Sequence, residues 1–362
     1  MPHPILDSLD KTDQLMALDP LGMFGIIERF PDQCREAMAT PWKNLEQSSD
    51  NSVRQVVITG LGGSAIGGDY ARYVMEEFGS VPLYVNRDYN LPEWVDSRTL
   101  VIAASYSGNT EETLSAFAKA KEAGAHRAVI SSGGALLESA KAENLPYAEV
   151  PGGQPPRTAI GYMLFPTLNL LMLRELLDTQ IGDQYLGVIT RLNSQKERFC
   201  KEILTEANPA KRLAVDLFQK IPIVYGSQSW KGGVAYRWKC QWNENVKSAA
   251  FDNTLPEQNH NEILAWTLAK SQAKNWAVVF LREANEVLKS PRIAKRVEVT
   301  KTIIGADFPI YEVEAEGETL LEKMFSLTYY ADFVTVYLAL LNGVCPTEIK
   351  GIDLLKEELA KL

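Results

Sequence analysis

Three histidines and four cysteines are few for a chain of 362 residues, and their placement removes several chemistries at once. Cys34, Cys200, Cys240 and Cys345 are scattered with no C-x-x-C pair, which suggests neither a zinc knuckle nor a disulfide framework and fits a reducing compartment. His3 stands near the start of the chain and His126 lies between Ala125 and Arg127 just ahead of an apolar run, so no three-histidine zinc site is expected. Positive charge is also scarce. The 37 Lys and Arg face 46 Asp and Glu, and a net charge of −9 argues against non-specific binding to nucleic acid or to an anionic membrane. The apolar stretches at 159–173 and 333–341 read as interrupted or too short for a bilayer. Residues 1–13 carry acidic groups and no continuous apolar core, so they are not read as a signal peptide. A cytoplasmic, globular protein of about two domains is the expectation.

The regular pattern is an alternation. After an arm at 1–50, read as helices broken at Pro20, Pro31 and Pro41, strand-like runs at 55–59, 82–86, 99–104, 127–131 and 146–150 are separated by helical segments near 63–78, 108–124 and 133–144. That rhythm implies parallel βαβ units with right-handed crossovers. A helical stretch at 158–178 closes the unit. A connecting helix is expected within 183–206, then strands near 221–225, 275–282 and 309–315, a long helix at 319–341 and a terminal one at 352–361. The expected division is an N-terminal arm 1–50, a first α/β domain 51–180, a connecting helix 181–207 and a second α/β domain 208–362. The halves match at an offset of 165 residues: Ser64 with Ser229, Gly67-Gly68 with Gly232-Gly233, Arg72 with Arg237, Tyr73 with Trp238. This suggests a duplicated domain.

Two glycine- and hydroxyl-rich turns follow strands. In Ser105-Tyr106-Ser107-Gly108-Asn109-Thr110, the hydroxyls of Ser105, Ser107 and Thr110 and the free N–H groups of the following helix can hold an anion, with no Lys or Arg in the loop. That suits a phosphorylated small molecule better than a nucleic acid. The plainer alternative is a helix cap by Ser107 or Asn109. The earlier turn, Gly60-Leu61-Gly62-Gly63-Ser64-Ala65, matches the dinucleotide fingerprint, but the second strand runs into Asn86-Arg87 before Asp88 where that fingerprint wants an acid. Gly62 and Gly63 would let the backbone approach a phosphate, and Ser64 would add a hydroxyl.

In the second half, Trp242-Asn243-Glu244-Asn245-Val246-Lys247 sets a carboxylate among apolar neighbours, where desolvation would raise its pKa toward that of a general base. Glu244 as an ordinary surface-helix residue is the alternative. His260 lies in a polar run ahead of an expected helix at 263–268, and a lone histidine is more often a surface or satisfied core residue than a catalyst.

The segments 60–69, 105–113, Pro155-Pro156-Arg157-Thr158-Ala159, Asn243-Glu244-Asn245, 256–262 and 352–359, in this order, resemble the bifunctional phosphoglucose/phosphomannose isomerase family over roughly residues 50–362. The resemblance implies two sugar isomerase (SIS) domains, parallel-sheet αβα sandwiches of flavodoxin-like kind. It further implies a metal-independent aldose–ketose isomerase that interconverts glucose or mannose 6-phosphate with fructose 6-phosphate through an enediol, without a cofactor. Gly63, Ser64, Ser105, Ser107 and Thr110 would then hold the phosphate, Glu244 would carry the proton between C1 and C2, and Arg157 would stabilise the enediolate. His260, supplied by the neighbouring subunit of a homodimer, and Lys356 would assist ring opening; Lys350 and Lys361 are rivals of Lys356 on the same terminal segment. A non-catalytic SIS-type sugar-phosphate sensor is the contrasting reading, and it would need the cradle but not Glu244, Arg157 and His260 together.

Overall fold

The computed structural model describes residues 9–11, 16–45, 53–227, 229–267, 269–359 and 361. His3 and much of the expected arm lie outside the described residues. The chain divides into two compact units, one of Arg29–Thr190 with Thr319–Leu321, the other of Met1–Glu28, Arg191–Glu318 and Glu322–Leu362. Helix α1 (Met23–Glu28) belongs to the latter.

The first unit opens with α2 (Phe30–Met38), which carries Pro31 in its first turn, where a missing N–H breaks no intrahelical bond. There follow β1 (Trp42–Lys43), β2 (Gln55–Thr59), α3 (Gly62–Phe78), β3 (Leu83–Asn86), β4 (Thr99–Ala104), α4 (Glu111–Glu122), β5 (His126–Ser131), α5 (Gly134–Ala142), β6 (Tyr147–Glu149) and α6 (Ile160–Leu173). The sheet runs β1-β6-β5-β4-β2-β3, parallel throughout except that β1 is an antiparallel edge on β6. Strand β4 is buried at every residue, which its run Leu100-Val101-Ile102-Ala103-Ala104 requires of a strand covered on both faces. One face buries Phe117, Leu136, Leu137 and Ala140 against Ala103 and Val129. Helices α2 and α3 both pack against α6. Because β3 and β4 flank β2 on opposite sides, the chain leaves β2 and β4 toward opposite faces of the sheet and opens a crevice at their carboxyl ends.

Continuing, α7 (Tyr185–Phe199) holds the division between the units. Then come α8 (Pro209–Asp216), β7 (Ile221–Ser227), α9 (Trp230–Gln241), β8 (Phe251–Leu255), β9 (Trp276–Glu283), α10 (Glu286–Lys289), α11 (Pro291–Ile304), β10 (Ile310–Ala315), α12 (Leu320–Leu341) and α13 (Lys350–Leu359). The all-parallel sheet β10-β9-β7-β8 repeats the order β5-β4-β2-β3. The matched serines both fall at helix starts: Ser64 is in the first turn of α3 and Ser229 precedes α9. Tyr225, Val278 and Phe280 form a core with Trp266, Val297 and Phe308.

Several expectations need correction. Segment 263–268 is not an α-helix; the 3-10 turns Glu262–Thr267 take its place, with Leu268 outside the described residues. Strand β8 gave no sequence signal, since it is an edge strand whose Asp252, Asn253 and Thr254 remain half-buried. Segment 158–178 yields only α6, because its start turns as the 3-10 segment Pro156–Thr158. Helix α12 as a whole is long and apolar enough to cross a bilayer, although the stretch 333–341 by itself is too short. Its most apolar stretch is 89% buried, the pattern of a core helix that is apolar all round.

Candidate active site

At the crevice of the first sheet, the turn after β2 and the turn after β4 are joined by hydroxyls. The Tyr106 amide donates to Ser64 Oγ at 3.1 Å, the Gly108 amide donates to Ser105 Oγ at 3.1 Å, and the Ser105 and Thr110 hydroxyls share a hydrogen bond of 2.9 Å. Ser64 and Ser105 are buried. Gly108 is the one residue type this turn admits, because its φ is +71° and a Cβ would stand 1.7 Å from the Gly133 carbonyl oxygen. The helix-cap alternative fails on geometry. Asn109 Oδ1 accepts from the Ala135 amide at the start of α5, Ser107 Oγ accepts from the Asn109 amide at 3.3 Å, and Thr110, which precedes α4, makes no side-chain cap. Nor has α3 a side-chain cap, so the two helices begin with amides that an anion can satisfy. Ser107 is exposed and makes no bond to the other three hydroxyls. The dinucleotide reading loses its acid: β3 ends in buried Asn86, whose amide donates to Thr59 Oγ1 and to the Asp88 carbonyl. Arg87 is paired with Asp69, whose carboxyl burial pushes up while Arg87 pulls it back.

Gly63 has a use other than close approach to a ligand. A Cβ there would lie 2.4 Å from the Pro156 carbonyl oxygen and 3.0 Å from Arg157 Cα, so the missing side chain lets the Pro156–Thr158 turn sit on the start of α3. Arg157 is thereby held, 5% exposed, beside the hydroxyl-bearing helix. The turn is fastened from the far side by Gln33 of α2, whose side chain donates to the Thr158 carbonyl at 2.9 Å and accepts from the Gly161 amide at 3.1 Å. No signal in the sequence points to Gln33, which is 125 residues from its partner. Tyr106 was also missed; buried, it donates its hydroxyl to the Pro151 carbonyl at 2.9 Å.

In the second unit, α9 ends in a π-turn, Trp242–Val246, and Lys247 stops it in the left-handed conformation with φ 61°. Single π-turns widen a helix by one residue and recur at functional sites. Trp242 and Val246 are buried, as is Asn245, whose amide donates to Thr335 Oγ1 of α12 at 3.0 Å. Glu244 instead is half-buried and lines an open cavity of about 830 Å³, so the expected enclosure by apolar neighbours is corrected: Trp242 and Val246 are buried while Glu244 is part-exposed at the cavity. The same cavity is lined by 343–345 and 348–352, including Cys345 and Lys350. Lys356 is exposed further along α13, outside the residues that line the cavity. His260 closes the 3-10 turn Glu257–His260 after β8 and is exposed. Its neighbour Asn259 anchors that turn, donating to Gln258 Oε1 at 2.7 Å and to Thr300 Oγ1 at 2.9 Å.

Comparison with known proteins agrees with both halves. Residues 51–143 match the SIS domain family, and residues 206–359 match the family described as the bacterial phospho-glucose isomerase C-terminal SIS domain. A bifunctional phosphoglucose/phosphomannose isomerase of Caldicellulosiruptor bescii is 40% identical over 94% of this chain and 99% of its own. The chain belongs to that isomerase family. A D-glucosamine-6-phosphate 4-epimerase of Sulfolobus acidocaldarius is 30% identical over 94% of this chain and 99% of its own. Among solved structures, a hypothetical protein of Thermus thermophilus superposes with a TM-score of 0.74 at 17% identity, covering 99% of this chain and 94% of that one, which speaks to the fold alone. The two matched segments each contain the parallel core of one sheet, in keeping with two SIS domains in one chain.

Proposed function

We propose that the protein is a metal-independent, cytoplasmic aldose–ketose isomerase that interconverts glucose 6-phosphate and mannose 6-phosphate with fructose 6-phosphate. The observation that carries the reading is a half-buried carboxylate, Glu244, on the wall of a cavity of about 830 Å³ in a chain of this isomerase family. The phosphate is assigned to Ser64, Ser105, Ser107 and Thr110 with the open amides of α3 and α4. Three hydroxyls tied through Ser64, Ser105 and Thr110 support that assignment, and Ser107 has the loosest claim. Gly63 serves the same cradle by letting the arginine-bearing turn close on it. Isomerisation then asks for one base, and Glu244 takes the proton from one carbon and returns it to the next while Arg157 balances the charge growing on the enediolate oxygens. His260 and Lys356 are assigned to opening the sugar ring, with Lys350 the rival that lines the cavity. Rotation of the open sugar about C2–C3 would let the same base serve both C2 epimers.

The proposal includes a homodimer in which His260 serves the partner's substrate, and a mixing experiment tests base and dimer together. Glu244→Gln subunits keep their fold and lose both turnover and solvent tritium exchange into C2, whereas a sugar-phosphate sensor would show no turnover to lose. His260→Ala subunits are expected to be inactive as well. Co-expressed, the two form hybrids in which one of two sites regains both groups, restoring up to about half of the wild-type activity per hybrid, as a closed twofold pair requires. Exchange persisting in Glu244→Gln moves the base elsewhere. Hybrids that form by native mass spectrometry yet stay inactive place His260 in its own subunit's site.

A further inference from the structure

The end of α9 contains a combination that the reaction above does not call on. Lysine is a costly choice for a left-handed residue that stops a helix, where glycine or asparagine is the usual solution, yet Lys247 occupies that place at φ 61° and ψ 30°. Its side chain shows what the position gains. The ammonium folds back over its own helix end and donates to the carbonyls of Glu244 and of Asn245, the latter at 3.4 Å, and it donates across to the Pro346 carbonyl at 3.0 Å. Two of those carbonyls belong to the widened π-turn at the C-terminal end of the helix, where a cation suits the negative end of the helix dipole. The third belongs to the segment after α12 that also lines the Glu244 cavity.

We infer that Lys247 is a positioning residue for Glu244, clamping the π-turn that carries the carboxylate to the segment after α12 that lines the same cavity. The inference rests on the reading of Glu244 as the proton shuttle. One donor with three fixed carbonyls pins both the main chain of Glu244 and its separation from that segment. The buried amide of Asn245 holds the same turn to α12 from behind, so the turn is fixed on its inner side by Asn245 and on its cavity side by Lys247. A base displaced by about an ångström from its carbon loses rate rather than affinity. The substrate's hold on the enzyme, assigned to the hydroxyl cradle, does not pass through this lysine.

The test compares Lys247→Gly and Lys247→Arg with wild type and with Glu244→Gln. Glycine removes the ammonium while suiting the left-handed backbone, so the fold survives and its melting temperature stays within a few degrees. Expected for Lys247→Gly are a kcat lower by about tenfold to hundredfold, a KM for fructose 6-phosphate within about threefold of wild type, and tritium exchange reduced in step with kcat. Lys247→Arg, which keeps a donor for the carbonyls, recovers a large part of kcat. A purely structural lysine would instead give lower melting with unchanged kcat, and that result overturns the inference. So does an arginine variant as slow as glycine, which would mark the ammonium as a direct participant. If Glu244→Gln itself keeps turning over, the shuttle assignment has failed, whatever the Lys247 variants do.

Discussion

The carboxyl ends of β2 and β4 in the first unit and of β7 and β9 in the second are the same place in two copies of one topology, and they are furnished oppositely. The first has neutral hydroxyls and uncapped helix starts. The second has a buried ion-pair cluster: Lys231, in the first turn of α9 and 2% exposed, lies 3.1 Å from Glu283 at the end of β9 and 2.5 Å from Glu286 of α10. Arg282 joins Glu286 at 2.7 Å, and Lys323 and Lys289 approach Glu283, whose carboxyl these cations hold below its ordinary range against the opposing effect of burial. A cation in the first turn of a helix faces an unfavourable dipole, and two carboxylates offset it. The second copy therefore satisfies its crevice with its own anions, while the first leaves donors for an anion from outside. Two copies of one topology are thus furnished with opposite side-chain charge, and the proposed phosphate site is the copy that lacks built-in anions.

Breaking the second crevice has the largest expected effect. Lys231→Met strands Glu283 and Glu286 without their central cation, and removal of one partner from a buried pair costs about 3–5 kcal/mol. Denaturant unfolding should show that loss, while the KM for fructose 6-phosphate of the surviving folded enzyme changes by less than about threefold. A large rise in KM with little loss of stability would erase the contrast between the crevices.

The opposite signature belongs to the first. Replacing Ser105 and Thr110 together by Ala removes hydrogen bonds to a charged group worth about 1.5–3 kcal/mol each, so KM should rise by about a hundredfold or more while kcat at saturation changes less. Sugar-phosphate affinity left untouched by the double replacement would show that the hydroxyl cradle is not where the phosphate sits.

The smallest effect is expected at a charge cluster on the periphery of the first unit. Glu143 accepts from Arg127 at 2.6 Å and meets Lys121 at 2.9 Å, and these partners hold its carboxyl down to about 2. A carboxyl depressed in the folded state adds stability that is present above its ordinary value of 4.5 and is lost as pH falls through about 2. In Glu143→Gln that part of the acid-induced loss should vanish, and at neutral pH the variant should be less stable by no more than about 1 kcal/mol, since solvent screens the pair. Unchanged acid unfolding would discount this pair altogether.

Much of the fold was legible because its signals are local. The buried run of β4, the hydroxyl turn after it and the glycine turn after β2 each declare themselves within a dozen residues, and the 165-residue offset linked two helix starts that the structure confirms. Edge strand β8 was not legible, since its polar residues carry no alternation, and the 3-10 turns near His260 were mistaken for a helix because an apolar pair followed a polar run. Within the site, Ser64, Ser105 and Thr110 could be named from the sequence, but that Ser64 receives the Tyr106 amide could not.

The sequence alone determined the alternation of strand and helix, the parallel sheets and the position of the hydroxyl turn, since periodicity and turn chemistry act between near neighbours. Tertiary structure alone decided that Gln33 fastens the turn of Arg157, that Gly63 makes room for that turn, that Lys231 meets carboxylates 52 and 55 residues away, and that apolar α12 is covered by protein. Each of those depends on a partner distant in the chain, and a partner's charge or bulk acts only once folding has brought it within a few ångströms.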